Sequence, residues 1–184
     1  GLLGLSVLKN WAIGIDPKKQ RLTFWKEGRL SSGQVRQWFQ DTVGEHSGIA
    51  PKLTTLPLHY NERVECFWTQ ASLDGVVEQF CLDTGTTGIL ITEQLARQIT
   101  PTGVPAPTSP TLKVLHADEG TFQIRASIQR SLALGEFVVE APLIDTVLGG
   151  KENTLGIGAF AGSKILINFP YGICHVPAGR RKLI

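Results

Sequence analysis

Phe80-Cys81-Leu82-Asp83-Thr84-Gly85-Thr86-Thr87-Gly88 is the stretch on which the reading of this chain turns. An apolar run delivers one carboxylate into a turn made of glycines and hydroxyls. Glycine lets the backbone turn tightly and aim its N–H groups at the carboxylate, and neighbouring hydroxyls can hydrogen-bond its oxygens, holding it ionised or letting it share a proton. A bare Asp-Thr-Gly arises by chance in roughly a few per cent of chains this long, so the sequence on either side has to carry the interpretation.

Upstream, alternating segments predict strands over residues 54–58 and 63–73. A turn at Asp74-Gly75 then leads into a strand over 76–82, since Asp-Gly between two such runs is a strong hairpin signal. Downstream, Gly88-Ile89-Leu90-Ile91 leads to Thr92, a helix cap by type, with a helix over 93–99. Pro101, Pro105, Pro107 and Pro110 stop that helix and predict an extended surface stretch. Residues 112–115 and 121–127 flank His116-Ala117-Asp118-Glu119-Gly120, a hairpin with an exposed tip, and further strands are expected over 128–134 and 137–144. The expected class is all-β with one or two short helices.

The two ends of the chain resemble each other without gaps. Leu3-Gly4-Leu5 through Ile13-Gly14-Ile15-Asp16 lies against Leu155-Gly156-Ile157 through Ile165-Leu166-Ile167-Asn168. Each copy reads as a turn or short helix after Leu-Gly, an alternating strand, a proline-containing turn and a second strand. The repeat divides the chain into residues 1–25, closing a preceding lobe whose body is absent; a connector over 26–50; a whole lobe over 51–178; and a basic tail over 179–184. Val35, Trp38, Phe39 and Thr42 give the connector helical spacing, enough for one short amphipathic helix laid on a neighbour.

The Asp83 segment and Leu155-Gly156 together resemble the retropepsin-like and pepsin-like aspartic proteases. Their lobes contain hydrophobic-hydrophobic-Asp-Thr-Gly-Ser/Thr/Ala and, much later, hydrophobic-hydrophobic-Gly. The resemblance covers residues 51–178, with Thr154 in place of an apolar residue before Leu155-Gly156; Leu2-Leu3-Gly4 fits the later motif better. It implies a closed or partly open barrel in which the Leu155-Gly156 strand threads the loop holding Asp83. It also implies an aspartic endopeptidase. Asp83 would be the catalytic carboxylate, Thr84 a donor across to the other lobe, Gly85 the turn and a backbone donor, and Thr86 a support for the outer carboxylate oxygen. His116, Ala117, Asp118, Glu119 and Gly120 fall where the family places its flap over an extended peptide. Ile157 stands where viral members carry an arginine, which points to a non-viral relative.

The chemistry needs two carboxylates sharing one proton, and only one Asp-Thr-Gly occurs here. Asp41-Thr42-Val43-Gly44 and Asp145-Thr146-Val147 lack the glycine in register and read as surface turns. The second aspartate is therefore expected from an identical chain by two-fold symmetry or from a preceding lobe, and the repeat favours the lobe. The competing reading is a lobe kept as an inactive binding or dimerisation module, because fold alone does not guarantee activity.

Composition excludes several other classes. Apolar residues make up 42% and charged residues 18%, with 20 glycines and 10 prolines, which reads as a turn-rich soluble globule. A net charge of +2 provides no field to recruit nucleic acid or an anionic membrane, and Arg180-Arg181-Lys182 reads as a solvated tail. No apolar run suits a transmembrane segment or a signal peptide. Cys66, Cys81 and Cys174 with four scattered histidines offer no metal-ligand spacing, so neither metal nor cofactor is expected. One disulfide between two of the three cysteines stays open, and with it the compartment, an extracytoplasmic parent protein included. The absence of methionine suggests a processed product or an internal piece. Trp11, Trp25, Trp38 and Trp68 are assigned to packing, a lobe or dimer interface included.

Overall fold

The structure, a computed structural model, describes residues 5–40, 51–99, 113–117, 120–128, 131–140, 142–147, 149–160 and 162–182. The expected proline-rich stretch, Asp41-Thr42-Val43-Gly44, and Asp118 and Glu119 at the hairpin tip lie outside the described residues. Strands dominate. In chain order they are β1 (Trp11–Asp16), β2 (Arg21–Lys26), β3 (Leu53–Pro57), β4 (His59–Asn61), β5 (Cys66–Leu73), β6 (Val76–Asp83), β7 (Ile89–Thr92), β8 (Lys113–Ala117), β9 (Gly120–Ile128), β10 (Ser131–Leu134), β11 (Phe137–Glu140), β12 (Leu143–Val147), β13 (Asn153–Gly156), β14 (Ile165–Asn168), β15 (Ile173–Pro177) and β16 (Gly179–Lys182). Three short helices, α1 (Leu5–Leu8), α2 (Ser32–Gln40) and α3 (Glu93–Ile99), and a 3-10 turn at Ile157–Phe160 complete the described elements.

The larger sheet runs β16-β11-β10-β5-β6-β13-β7-β12-β9-β8, with β4 added beside β5, and curls into a half-barrel. Local chemistry builds its hairpins. Asp74 and Gly75 both take positive φ, 47° and 89°, as a two-residue hairpin turn between right-twisted strands requires, and this fixes β5 against β6 from Leu73↔Val76 to Phe67↔Leu82. Thr92 caps α3 as expected: its hydroxyl accepts from the Leu95 N–H at 3.3 Å.

Four local expectations are corrected. The strand expected over 63–73 begins only at Cys66, because the Asn61 side chain accepts the Arg63 N–H at 3.0 Å and Glu65 takes positive φ, turning the chain from β4 into β5. The run 137–144 is split into β11 and β12 around Pro142, which has no N–H to give a ladder. Asp145-Thr146-Val147 is not a surface turn. It belongs to β12, held between β7 and β9, with Thr146 and Val147 buried. Finally, Arg180-Arg181-Lys182 is a strand and not a free tail: β16 runs parallel to β11 while its side chains stay exposed, Arg180 meeting Glu140 at 3.2 Å.

The smaller sheet, β2-β1-β14-β15-β3, contains both copies of the repeat. Their elements coincide under the sequence offset: α1 with the 3-10 turn, β1 with β14, and β2 with β15. The copies also pair with each other. β1 runs antiparallel to β14 with Ile13↔Ile167, Gly14↔Leu166 and Ile15↔Ile165. Exchanging the copies maps this register onto itself, so the junction has local two-fold symmetry centred on Gly14 and Leu166.

The two faces of that sheet are filled differently. On one, α2 places Val35, Trp38 and Phe39 against Leu166, with Trp25, Leu30 and Leu53 alongside. Gly14 makes the fit possible, since a Cβ there would strike the Trp38 ring. Trp38 is met edge-on by Trp25 at 5.4 Å and capped by Arg21 at 4.8 Å. On the other face Ile165, Ile167, Cys174 and Val176 enter the main core with Phe80, Ile89, Leu155 and Phe160.

Candidate active site

Asp83 is the last residue of β6 and sits where three strands converge. β13 runs parallel to β6 with Leu155↔Leu82 and Gly156↔Asp83, and antiparallel to β7 with Leu155↔Ile89. The Leu155-Gly156 strand therefore passes between the strand that delivers the carboxylate and the strand that leaves it. Backbone bonds fasten the crossing. The Gly156 N–H donates to the Gly88 carbonyl at 2.9 Å, and the Ile157 N–H to the Thr86 carbonyl at 2.7 Å.

Such a crossing leaves no room for side chains. A Cβ on Gly156 would collide with the carbonyls of Gly88 and Thr86, and one on Gly158 with the carbonyl of Thr87. Gly158 is a requirement that sequence reasoning did not assign, the stretch after Leu155-Gly156 being read only as a turn or short helix. Its signal was its place two residues past a strand that must thread a loop. Asn153 was missed as well. Its side chain accepts the Thr92 N–H at 2.9 Å and donates to the Gln79 carbonyl at 3.3 Å, linking the strands on either side of β13.

At the carboxylate, the Gly85 N–H donates to Asp83 Oδ1 at 2.8 Å, and the Thr86 N–H donates to the Asp83 carbonyl at 3.3 Å. Thr86 enters the site through its backbone, bonded to Asp83 on one side and Ile157 on the other. Asp83, Thr84 and Gly85 are all exposed. The structure thus brings together Asp83, Gly85, Thr86, Leu155 and Gly156, and leaves Thr84 on the open side. The β8–β9 hairpin pairs as far as Ala117↔Gly120, with His116↔Thr121 behind it.

A disulfide flanks the carboxylate. Cys66 and Cys81 are joined across β5 and β6, where Cys81 pairs with Trp68 and Leu82 with Phe67, so the bridge lies beside Asp83 and lines the same groove. Closing a loop of sequence separation 15 restrains the unfolded chain by about 3 kcal/mol in the chain-entropy account. The third cysteine, Cys174, is free and fully buried, and desolvation pushes its thiol up to about 12, leaving it inert as a nucleophile.

Asp83, Thr84 and Gly85 open onto a groove of about 690 Å³. Its walls are apolar: Leu82, Ile157 and Phe169 from the lobe face Ile13, Leu22 and Phe24 from the N-terminal copy. A second hollow, about 900 Å³, is lined by Trp68, Glu93, Arg97, Lys151 and Asn153 and does not include Asp83. Among the described residues no three His, Cys, Asp or Glu side chains gather as metal ligands, and no helix is long and apolar enough to cross a membrane.

The fold that holds Asp83 has a counterpart among solved structures. A solved structure of a retropepsin-like aspartic protease from Rickettsia conorii superposes with a TM-score of 0.54 at 17% identity, covering 72% of this chain and 99% of that one. The fold is retropepsin-like. No protein-family model matches the sequence, and no curated protein matches it. The retropepsin-like lobe is thus recognised here by its shape, with Asp83 on the strand end that the crossing holds in place.

Proposed function

We propose that this chain is one lobe of an aspartic endopeptidase, with Asp83 as its catalytic carboxylate and the second aspartate supplied from another lobe or chain. The observation that carries the reading is the conjunction at Asp83. The Gly85 N–H bonds one carboxylate oxygen, a glycine-only strand crossing fixes the loop from behind, and the other side is left open.

The chemistry follows from placing a second carboxylate beside the first. Two like charges so close cannot both ionise, so the pair shares one proton and its two ionisations move apart. The ionised member takes a proton from a water, which attacks the peptide carbonyl carbon. The protonated member gives its proton to the carbonyl oxygen. The tetrahedral intermediate then collapses with proton transfer to the leaving amine, and no covalent enzyme intermediate forms. Gly85 orients Asp83. Thr84, exposed beside it, is assigned to donate across to the second lobe, and the hairpin from His116 to Gly120, with Asp118 and Glu119 at its tip, is assigned to cover an extended peptide.

The test is hydrolysis of a peptide library between about pH 3 and 7, the range in which carboxylate dyads titrate, by the full-length polypeptide and its Asp83→Asn variant. Cleavage by the wild type that falls to background in the variant, with unchanged circular dichroism, is expected. Cleavage that survives Asp83→Asn would overturn the assignment.

A further inference from the structure

Copies with the same sequence pattern and the same element order should bury the same positions if each completes a lobe. They do not. Leu22 on β2 is 57% exposed and Phe24 41%, whereas their counterparts on β15, Cys174 and Val176, are 1% and 0% exposed. Val7 in α1 is 51% exposed, and its counterpart Ala159 is 0%. In the second copy these positions are covered by the core of the lobe it closes. In the first copy Leu22 and Phe24 line the open groove beside Asp83, and Val7 lies exposed on the neighbouring α1. The edges differ in the same way: β15 has β3 on its outer side, paired from Ile173↔Pro57 to Pro177↔Leu53, while among the described residues no strand pairs with the outer side of β2.

From this asymmetry we propose that a second lobe of the same fold, lying upstream of Leu5 in the same polypeptide, covers Leu22, Phe24 and Val7. Its first strand adds antiparallel to the free edge of β2, as β3 does to β15. The order follows from the lobe in hand, where the body over 53–156 precedes the closing segment; a body belonging to the first copy must likewise precede it. A second copy of this chain is a poorer occupant. The two-fold axis it would need runs through the β1–β14 junction, and the edge of β14 on that axis is already filled by the chain's own β1. For the second aspartate the inference rests on the aspartic protease reading; the covering of β2 does not depend on it.

Hydrogen exchange on the full-length polypeptide separates the outcomes, with the inactive Asp83→Asn form used so that catalysis plays no part. The amides of β2 that do not face β1 should be protected to within about tenfold of those that β15 gives to β3, as expected of backbone groups opening with one cooperative unit. This protection should be independent of protein concentration. Leu22→Glu with Phe24→Glu should release β2 and leave β15 protected; Leu22→Asn is the milder form if the double variant fails to fold. Free exchange of those β2 amides in the wild type, protection that grows with concentration alongside a dimer mass, or a polypeptide with no such lobe upstream would each overturn the proposal. Protected β2 in a protein that cleaves no peptide would leave the docking standing and remove the protease reading.

Discussion

The segment from Leu5 to Lys26 and the segment from Ile157 to Pro177 are two renderings of one pattern, and their contrast is the most informative feature of the molecule. Both run helix or 3-10 turn, strand, turn, strand, and they meet at Gly14 and Leu166 in a symmetric register. One has its apolar side sunk in a core, while the other carries Leu22 and Phe24 at the surface. Fully burying a leucine or phenylalanine is worth roughly 1.5–3 kcal/mol. On the proposal above, a hairpin that keeps two of them exposed in a copy of an otherwise buried arrangement is the face that the upstream lobe covers.

The largest effect is expected at the joint between the copies. Lys164, just before β14, and Asp16, at the end of β1, are 4% and 1% exposed; their charges approach to 3.5 Å, and Lys164 also donates to the Trp38 carbonyl and lies over the Trp38 ring at 4.1 Å. One buried cluster therefore joins the first copy, the connector helix and the second copy. Burial lowers the Lys164 pKa, and Asp16 pushes it partly back up. The counterparts of these residues, Ala12 and Asn168, form no ion pair, and Asn168 instead donates to the Gly28 carbonyl at 2.9 Å. Lys164→Met strands a buried carboxylate and should cost about 3–5 kcal/mol by urea denaturation, with Lys164→Met plus Asp16→Leu recovering part of the loss.

Next comes the strand crossing. Gly158 has Ser6 as its counterpart, so the glycine is demanded by the loop of Asp83 and not by the repeat itself. Gly158→Ala should cost about 1–3 kcal/mol through overpacking and should depress peptide hydrolysis more than Ser6→Ala does. An unchanged hydrolysis rate in Gly158→Ala would break the link between the crossing and the carboxylate.

A direct comparison follows from one equivalent pair. Val176→Ala should lower stability by about 2 kcal/mol, since a fully enclosed side chain leaves a cavity. Phe24→Ala should change it by no more than about 0.5 kcal/mol if the face is bare in the working protein, and by 3 kcal/mol or more if a lobe encloses it. Thermal denaturation of both variants in the full-length polypeptide measures the difference.

The smallest effect belongs to the outer edge. His175 on β15 is bonded to the Thr55 hydroxyl on β3 at 3.0 Å, and burial lowers its pKa below the usual 6.5. The unfolded chain then takes up a proton more readily than the folded one, so this contribution is complete above about pH 6.5 and declines as pH falls through the lowered folded value. Its counterpart on β2 is Thr23, which cannot titrate. Urea midpoints at pH 7.5 and 5 should differ for the wild type by more than for His175→Gln, and equal differences would detach the titration from this site.

The stretch through Asp83, the Asp74-Gly75 turn, the Thr92 cap and the all-β class were legible because each is set by residues within a few positions of one another, through turn geometry, capping or period-two alternation. The repeat was legible too, as pattern alone. Other features were set by the tertiary structure. Lys164 reaches the Trp38 carbonyl across 126 positions, Gly14 is required by a ring on another element, Gly158 by a carbonyl across the crossing, and Cys66 finds Cys81 only once β5 and β6 are in register. β16, read as a tail of charges, becomes a strand because β11 presents a free edge to it. Local sequence determined which segments could form strands and where a carboxylate would be turned outward; chain closure over long separations decided which edges and faces were filled, because a pairing partner that distant leaves no periodicity to read.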